Sequence, residues 1–239
     1  MSTYQAVFQR KEVKYLLSDA QLAALMPILK AHMKPDAFPH SSISNLYYDT
    51  DDFRMIRRSL EKPPYKEKLR LRSYGIPGDG SMVFPEIKKK AQGIVYKRRV
   101  SMPYAQAISF LAGKSSAPEG QIYRELRWML ASYPHLTPKV FLSCERDSWQ
   151  GIEQSALRLT LDREIHYRTE RLGLQHDTSG DDILQPGQTL MEVKIPGAAP
   201  LWLSHALSAL WIFPTSFSKY GEAYQRICKE NEMEIKQYA

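Results

Sequence analysis

Along residues 68–72 charged and apolar side chains alternate one by one. Lys68, Arg70 and Arg72 share one face of an extended chain, and Leu69 and Leu71 share the other, because successive strand side chains point to opposite faces. The same period of two recurs. Glu86 and Lys88 flank Ile87; Lys97 and Arg99 share a face; Leu157, Leu159 and Leu161 oppose Arg158, Thr160 and Asp162; Glu192 and Lys194 flank Val193. The pattern predicts strands near 5–15, 42–49, 66–74, 82–90, 94–101, 139–148, 156–168 and 188–195. Helical spacing takes over between them. Ser18-Asp19-Ala20-Gln21 reads as a capping box, and Leu22, Leu25, Met26 and Leu29 follow on one helical face. Further helices are predicted near 52–60, 103–112 (opened by Pro103), 120–132 (Ile122, Leu126, Met129), 201–210 and 218–235. Many strands with interspersed helices place the chain in the α+β class.

The polar faces of these strands are unusual. A sheet face turned to water is commonly rich in Ser, Asn and Gln, whereas these carry Arg and Lys at i and i+2 with an occasional single carboxylate. Like charges that close repel one another unless an anion compensates. Two architectures accommodate the alternation. One is an antiparallel sheet with its polar face in water. The other is a closed barrel whose polar faces point inward and whose apolar outer faces are covered by helices. Five strands with the same bias favour the second, a cationic cavity suited to a polyanion, since Arg forks match phosphate oxygens and Lys supplies a compact charge.

Composition narrows the partners. The chain has 239 residues, enough for one large domain with a sizeable core, and a net charge of +7. That charge implies an anionic partner: nucleic acid, an acidic membrane surface or a phosphorylated small molecule. No helix-turn-helix, RRM or zinc-finger signature appears, and aromatics do not interleave with the charges, so no nucleic acid is expected. The sequence G-x-x-x-x-G-K-[ST] is absent, which removes the P-loop. Cys144 and Cys228 lack CxxC spacing, so neither zinc nor a disulfide framework is expected, and a reducing, cytoplasmic setting is. No apolar leader opens residues 1–15. The stretch 201–213 is too short and too interrupted for a bilayer span, which needs about 20 apolar residues, and reads as a buried helix.

Several segments, in order, resemble the catalytic domain of the vacuolar transporter chaperone family, the VTC domain, of the triphosphate tunnel metalloenzymes. They are Glu12-Val13-Lys14-Tyr15, Ser44-Asn45-Leu46-Tyr47-Tyr48-Asp49-Thr50, Lys68-Leu69-Arg70-Leu71-Arg72-Ser73-Tyr74-Gly75, Glu86-Ile87-Lys88, Lys97-Arg98-Arg99, Glu145-Arg146, Arg158-Leu159-Thr160-Leu161-Asp162, Glu192-Val193-Lys194 and Ser218-Lys219-Tyr220. The resemblance implies a single domain over 1–239, a closed antiparallel tunnel of eight strands with helices outside. It implies that Lys14, Arg70, Arg72, Lys88, Lys97, Arg99, Arg146, Arg158 and Lys219 line that tunnel and contact phosphates. Glu192 would be the main metal carboxylate, with Lys194 its neighbour and Glu86 and Glu12 as further candidates. Relatives often carry an acidic residue before the opening E-x-K, where this chain has Gln9 and Arg10. The resemblance also implies a metal-dependent polyphosphate polymerase that uses ATP or another triphosphate, and any membrane partner would be a separate chain.

With no Cys/His ligand set, oxygen ligands favour Mg²⁺ or Mn²⁺. An attacking water would make the same site a triphosphatase, and a site without metal would be a binding module for polyphosphate or inositol phosphates. Several residues carry a plainer reading. Glu86 could pair with Lys88 or another base, Asp162 is expected to orient Arg158, Lys89 is expected to be solvated, and Tyr47, Tyr48 and Tyr74 are expected to pack. Oligomeric state is not legible.

Overall fold

The computed structural model describes residues 11–92, 94–115, 119–133 and 135–237. The predicted strand start at 5–10, with Gln9 and Arg10, lies outside them. In chain order the elements are β1 (Lys11–Ser18), α1 (Asp19–His32), β2 (Met33–Asp49), α2 (Arg54–Leu60), β3 (Tyr65–Tyr74), β4 (Met82–Ala91), β5 (Ile94–Arg99), β6 (Met102–Pro103), α3 (Tyr104–Leu111), α4 (Gln121–Ser132), β7 (Thr137–Gly151), β8 (Arg158–Arg168), β9 (Asp181–Asp182), β10 (Gln188–Ile195), α5 (Leu201–Ala209), β11 (Pro214–Thr215) and α6 (Lys219–Gln237).

The fold is α+β, with a large antiparallel sheet. Its hydrogen-bonded order is β11-β1-β10-β8-β7-β2-β3-β4-β5, with β6 on β4 and β9 on β8. Two expectations are corrected. Among the described residues there are eleven strands rather than eight, because β6, β9 and β11 are two-residue pieces where the chain meets a neighbour. The path is also not closed among the described residues: it ends at β5 and β11. Alternation fixes which face a side chain takes, whereas closure depends on strand tilt and stagger, which alternation does not encode. Lys97, Arg98 and Arg99 sit on the terminal strand β5, where charge discourages pairing with another edge.

The chain divides into two compact units. One comprises Met1–Ser41, Glu145–Glu164 and Leu184–Phe217; the other comprises Ser42–Cys144, Ile165–Ile183 and Ser218–Ala239. In the first, Tyr15, Leu17, Leu159, Leu161, Met191 and Val193 form the apolar face of β1, β8 and β10 and pack on Leu25 and Leu29 of α1 and Leu203, Ala206 and Leu207 of α5. The capping box forms as the sequence predicts. Ser18 Oγ accepts from the Gln21 amide at 3.3 Å, and Gln21 Oε1 accepts from the Ser18 amide at 3.1 Å. The stretch 201–213 is not wholly buried: α5 ends at Ala209, and Leu201, Trp211 and Phe213 are exposed. Among the described residues no helix is long and apolar enough to cross a membrane.

In the second unit, Leu46 and Tyr48 of β2, Leu69 and Leu71 of β3 and Val83 and Ile87 of β4 form a second core with Phe110 and Leu111 of α3 and Leu126 and Met129 of α4. Both cores therefore lie on the apolar faces that the alternation defines, and the charged faces lie opposite.

Candidate active site

On the charged face of the second unit, register brings the basic residues into rows. One row is Asn45–Arg72–Phe84, the next Tyr47–Arg70–Glu86–Arg99, and the third Lys68–Lys88–Lys97. Glu86 is the only carboxylate in these rows and is 1% exposed. Four bases converge on it. Arg70 Nη2 lies 2.6 Å from Oε2, Lys97 Nζ 2.7 Å from Oε1, and Arg72 Nε and Arg99 Nη1 each 3.9 Å away. Burial opposes ionisation of Glu86, but Arg70, Arg72 and Lys97 outweigh it and hold its pKa at about 2. The geometry pairs Glu86 with bases, chiefly Arg70 and Lys97.

Lys97 titrates the other way. Burial lowers its pKa most; Glu86 opposes that, and Arg72 and Arg70 add to the lowering, leaving it at about 8. The cationic face is therefore charge-strained, with one buried anion serving several cations.

Side chains around these bases fix their orientation. Arg70 Nη1 donates to the Tyr47 hydroxyl at 3.0 Å, and Arg72 Nε donates to Asn45 Oδ1 at 2.9 Å. Burial raises the Tyr47 pKa, yet Arg70, Arg72 and Lys88 lower it below the ordinary phenol value on balance. Tyr47 also stacks on Tyr220 at 4.5 Å between ring centres, so it packs as expected and additionally holds Arg70. Lys68 Nζ donates to Ser218 Oγ at 2.9 Å, next to Lys219 at the start of α6. The fully buried Asp49 accepts from the Tyr220 hydroxyl and from the amides of Met55 and Ile56, tying α6 and α2 to β2.

The first unit carries the other half of the predicted set. Register aligns Lys14–Glu192–Thr160 in one row and Glu12–Lys194–Arg158 in the next. Glu192 is buried and shared by two bases, Lys14 Nζ at 3.1 Å and Arg146 Nη2 at 3.7 Å; Lys14 also lies 3.7 Å from Glu12. Asp162 does not orient Arg158. It grips Arg146 through two bonds of 2.5 and 2.6 Å, while Arg158 pairs with Asp36. Four residues along a strand span about 13 Å, which puts Arg158 beyond the reach of Asp162. Thr160 faces Glu192 across the register, and its Oγ1 is buried without a hydrogen-bond partner among the described residues.

The structure thus groups Arg70, Arg72, Lys88, Lys97, Arg99 and Glu86 in one unit, with Lys219 in the same unit, and groups Glu12, Lys14, Arg146, Arg158, Glu192 and Lys194 in the other. Lys89 departs from the solvated reading: it lies 3.8 Å from Glu125 and over the Trp128 ring, on the face opposite Glu86. The sequence reading left Tyr47, Asn45, Lys68 and Asp36 out of the site. Shared strand face was the available signal for the first three; nothing local marks Asp36. Among the described residues no three His, Cys, Asp or Glu side chains converge as a cage for a metal ion. Mg²⁺ and Mn²⁺ need no such cage when one carboxylate and substrate phosphate oxygens supply the ligands; at Glu192 a cation would take the place of Lys14 or Arg146 on the carboxylate.

The family model of the VTC domain matches residues 9–228, and the chain belongs to that family. Two curated relatives carry the name vacuolar transporter chaperone complex subunit 4. That of Trypanosoma brucei brucei is 25% identical over 215 residues, covering 71% of this chain and 27% of the relative. That of Trypanosoma cruzi is 24% identical over 270 residues, covering 90% of this chain and 34% of the relative. The chain therefore spans about a quarter to a third of the length of these proteins. Among solved structures, a candidate adenylate cyclase from Bacillus halodurans aligns with a TM-score of 0.54 at 17% identity, over 89% of this chain and 94% of that one. A candidate adenylyl cyclase from Hippeastrum, described as revealing a dominant triphosphatase activity, aligns at 0.51 and 16%, over 87% and 92%. At such identities the likeness shows the fold.

Proposed function

We propose that this chain is a metal-dependent polyphosphate polymerase that transfers the γ-phosphate of ATP onto the end of a growing polyphosphate chain. The observation that carries the reading is the cationic face around Glu86, where cross-strand rows of Arg and Lys share one buried carboxylate. Such a face is complementary to a polyanion, whose oxygens would relieve the repulsion. Family membership supports the same reading.

In the transfer, a terminal oxygen of the acceptor chain forms a bond to the γ-phosphorus, the bond from the γ-phosphorus to the β–γ bridging oxygen breaks, and ADP leaves with that electron pair. The step asks the protein for alignment and charge neutralisation more than for covalent chemistry. Arg70, Arg72, Lys88, Lys97 and Arg99 would bind phosphate oxygens, with Asn45 and Tyr47 holding the guanidinium planes. Lys14, Arg146, Arg158, Lys194 and Lys219 would contribute further contacts. Glu192 would hold Mn²⁺ or Mg²⁺, with Glu12 beside it through Lys14; the cation would supply further neutralisation of phosphate charge.

Incubation with ATP and Mn²⁺ or Mg²⁺, followed by phosphorus NMR and gel analysis, tests this. Long phosphate chains with ADP are expected. Orthophosphate with ADP and no chains would replace the reading by the triphosphatase one, which the activity ascribed to the Hippeastrum protein favours. The curated relatives are complex subunits, so a separate membrane-embedded partner is part of the proposal.

A further inference from the structure

Thr160 is an anomaly in the row it occupies. It stands directly opposite Glu192 in the pairing of β8 with β10, so both side chains leave the same face, with Cβ atoms about 5 Å apart. It is 7% exposed, and its Oγ1 has no hydrogen-bond partner among the described residues. Burying a hydroxyl in that state is unfavourable. Valine has the same outline, suits a strand equally well and would carry no such cost. The donors around it are turned elsewhere: Lys14 and Arg146 to Glu192, Arg146 also to Asp162, and Arg158 to Asp36.

We propose that the Thr160 hydroxyl is the second protein oxygen for the divalent cation at Glu192, an inference that rests on the metal-dependent reading above. One carboxylate and one neutral hydroxyl on adjacent paired strands suit a small hard cation that keeps its remaining positions for phosphate oxygens and water. The hydroxyl adds a ligand without adding negative charge, so it does not strengthen the hold of Lys14 and Arg146 on the site.

The test is Mn²⁺ binding to the intact chain, read from the paramagnetic resonance of the free ion, for the wild type and for Thr160→Val, Thr160→Ser and Glu192→Gln. Wild type is expected to bind Mn²⁺ and Glu192→Gln to lose the site. Thr160→Val is expected to bind about tenfold more weakly, Thr160→Ser close to wild type, and Thr160→Val to melt at or above the wild-type temperature, since it removes an unpartnered buried polar atom. If Glu192→Gln loses binding while Thr160→Val binds as wild type, the Thr160 role is overturned and the Glu192 reading stands. If Glu192→Gln binds as wild type, the Glu192 reading itself fails. If Thr160→Ser binds as poorly as Thr160→Val and both melt lower, the side chain's role is packing rather than ligation and the proposal is overturned.

Discussion

Arg70 pairs with the buried Glu86 across β3 and β4, its Nη2 at 2.6 Å and Nε at 2.8 Å from the same carboxylate oxygen. Glu86 also receives Lys97, so it compensates more positive charge than its own. Glu86→Gln should therefore destabilise the fold by about 3–5 kcal/mol, the usual cost of leaving buried charge uncompensated. Added tripolyphosphate should restore much of that loss by supplying replacement anionic charge. Thermal melts of the variant with and without tripolyphosphate check this; an equal shift in wild type and variant would refute the compensating role.

Lys97 gives the proposed phosphate binding a pH dependence of fixed sign. Its folded pKa of about 8 lies below the ordinary lysine value, so in the free protein it loses its proton as pH rises through about 8. A bound polyanion favours the charged form and requires the proton back. Tripolyphosphate affinity should then fall between about pH 7 and 9, beyond the phosphate's own titration, and Lys97→Arg should flatten that portion because a guanidinium stays charged. Titration calorimetry across this window, with both proteins in the same buffers, measures the difference. In stability the sign reverses. The unfolded chain holds the Lys97 proton more tightly than the fold, so this group contributes stability that rises with pH from about 8 towards the unfolded value.

Lys14 Nζ sits 3.1 Å from the Glu192 carboxylate, so under the proposed metal role it would compete with the cation there. Lys14→Ala should raise Mn²⁺ affinity measured without phosphate and lower tripolyphosphate affinity measured without metal. The two opposite signs are the prediction. A fall in both would mean that Lys14 supports Glu192 rather than competes for it.

Neighbouring residues on β3 should fail in different ways. Leu69 is fully buried in the apolar core, so Leu69→Ala should cost roughly 2–5 kcal/mol of stability and leave the folded protein's phosphate affinity near wild type. Arg70→Ala should lower that affinity by about 10–100-fold, the value of charge-assisted hydrogen bonds. Denaturant melts paired with phosphate titrations separate the two effects.

Much of this was legible in the sequence because it lives on one strand at a time. The alternation of Leu69 with Arg70, or of Leu159 with Thr160, assigns each side chain to a face, and the structure keeps those assignments. What one strand cannot encode is its neighbour. Asp162 grips Arg146, and Glu86 gathers bases from β3 and β5, because of the register between paired strands, which neither strand carries by itself. The first half of β2 was missed for a local reason: residues 33–41 include Pro35 and Pro39 and are largely exposed, so they carry no alternation to read. Thr160 was placed on its polar face correctly, but its missing hydrogen bond is visible only in three dimensions.

The most direct test of the central claim, that the charged face of β3, β4 and β5 binds phosphate chains, is titration of long-chain polyphosphate into wild type and the double variant Arg70→Ala/Arg72→Ala. Wild type should bind with an affinity that falls steeply with salt, and the variant should bind at least about 100-fold more weakly while melting as a folded protein. A folded double variant that binds polyphosphate as wild type does would contradict the account.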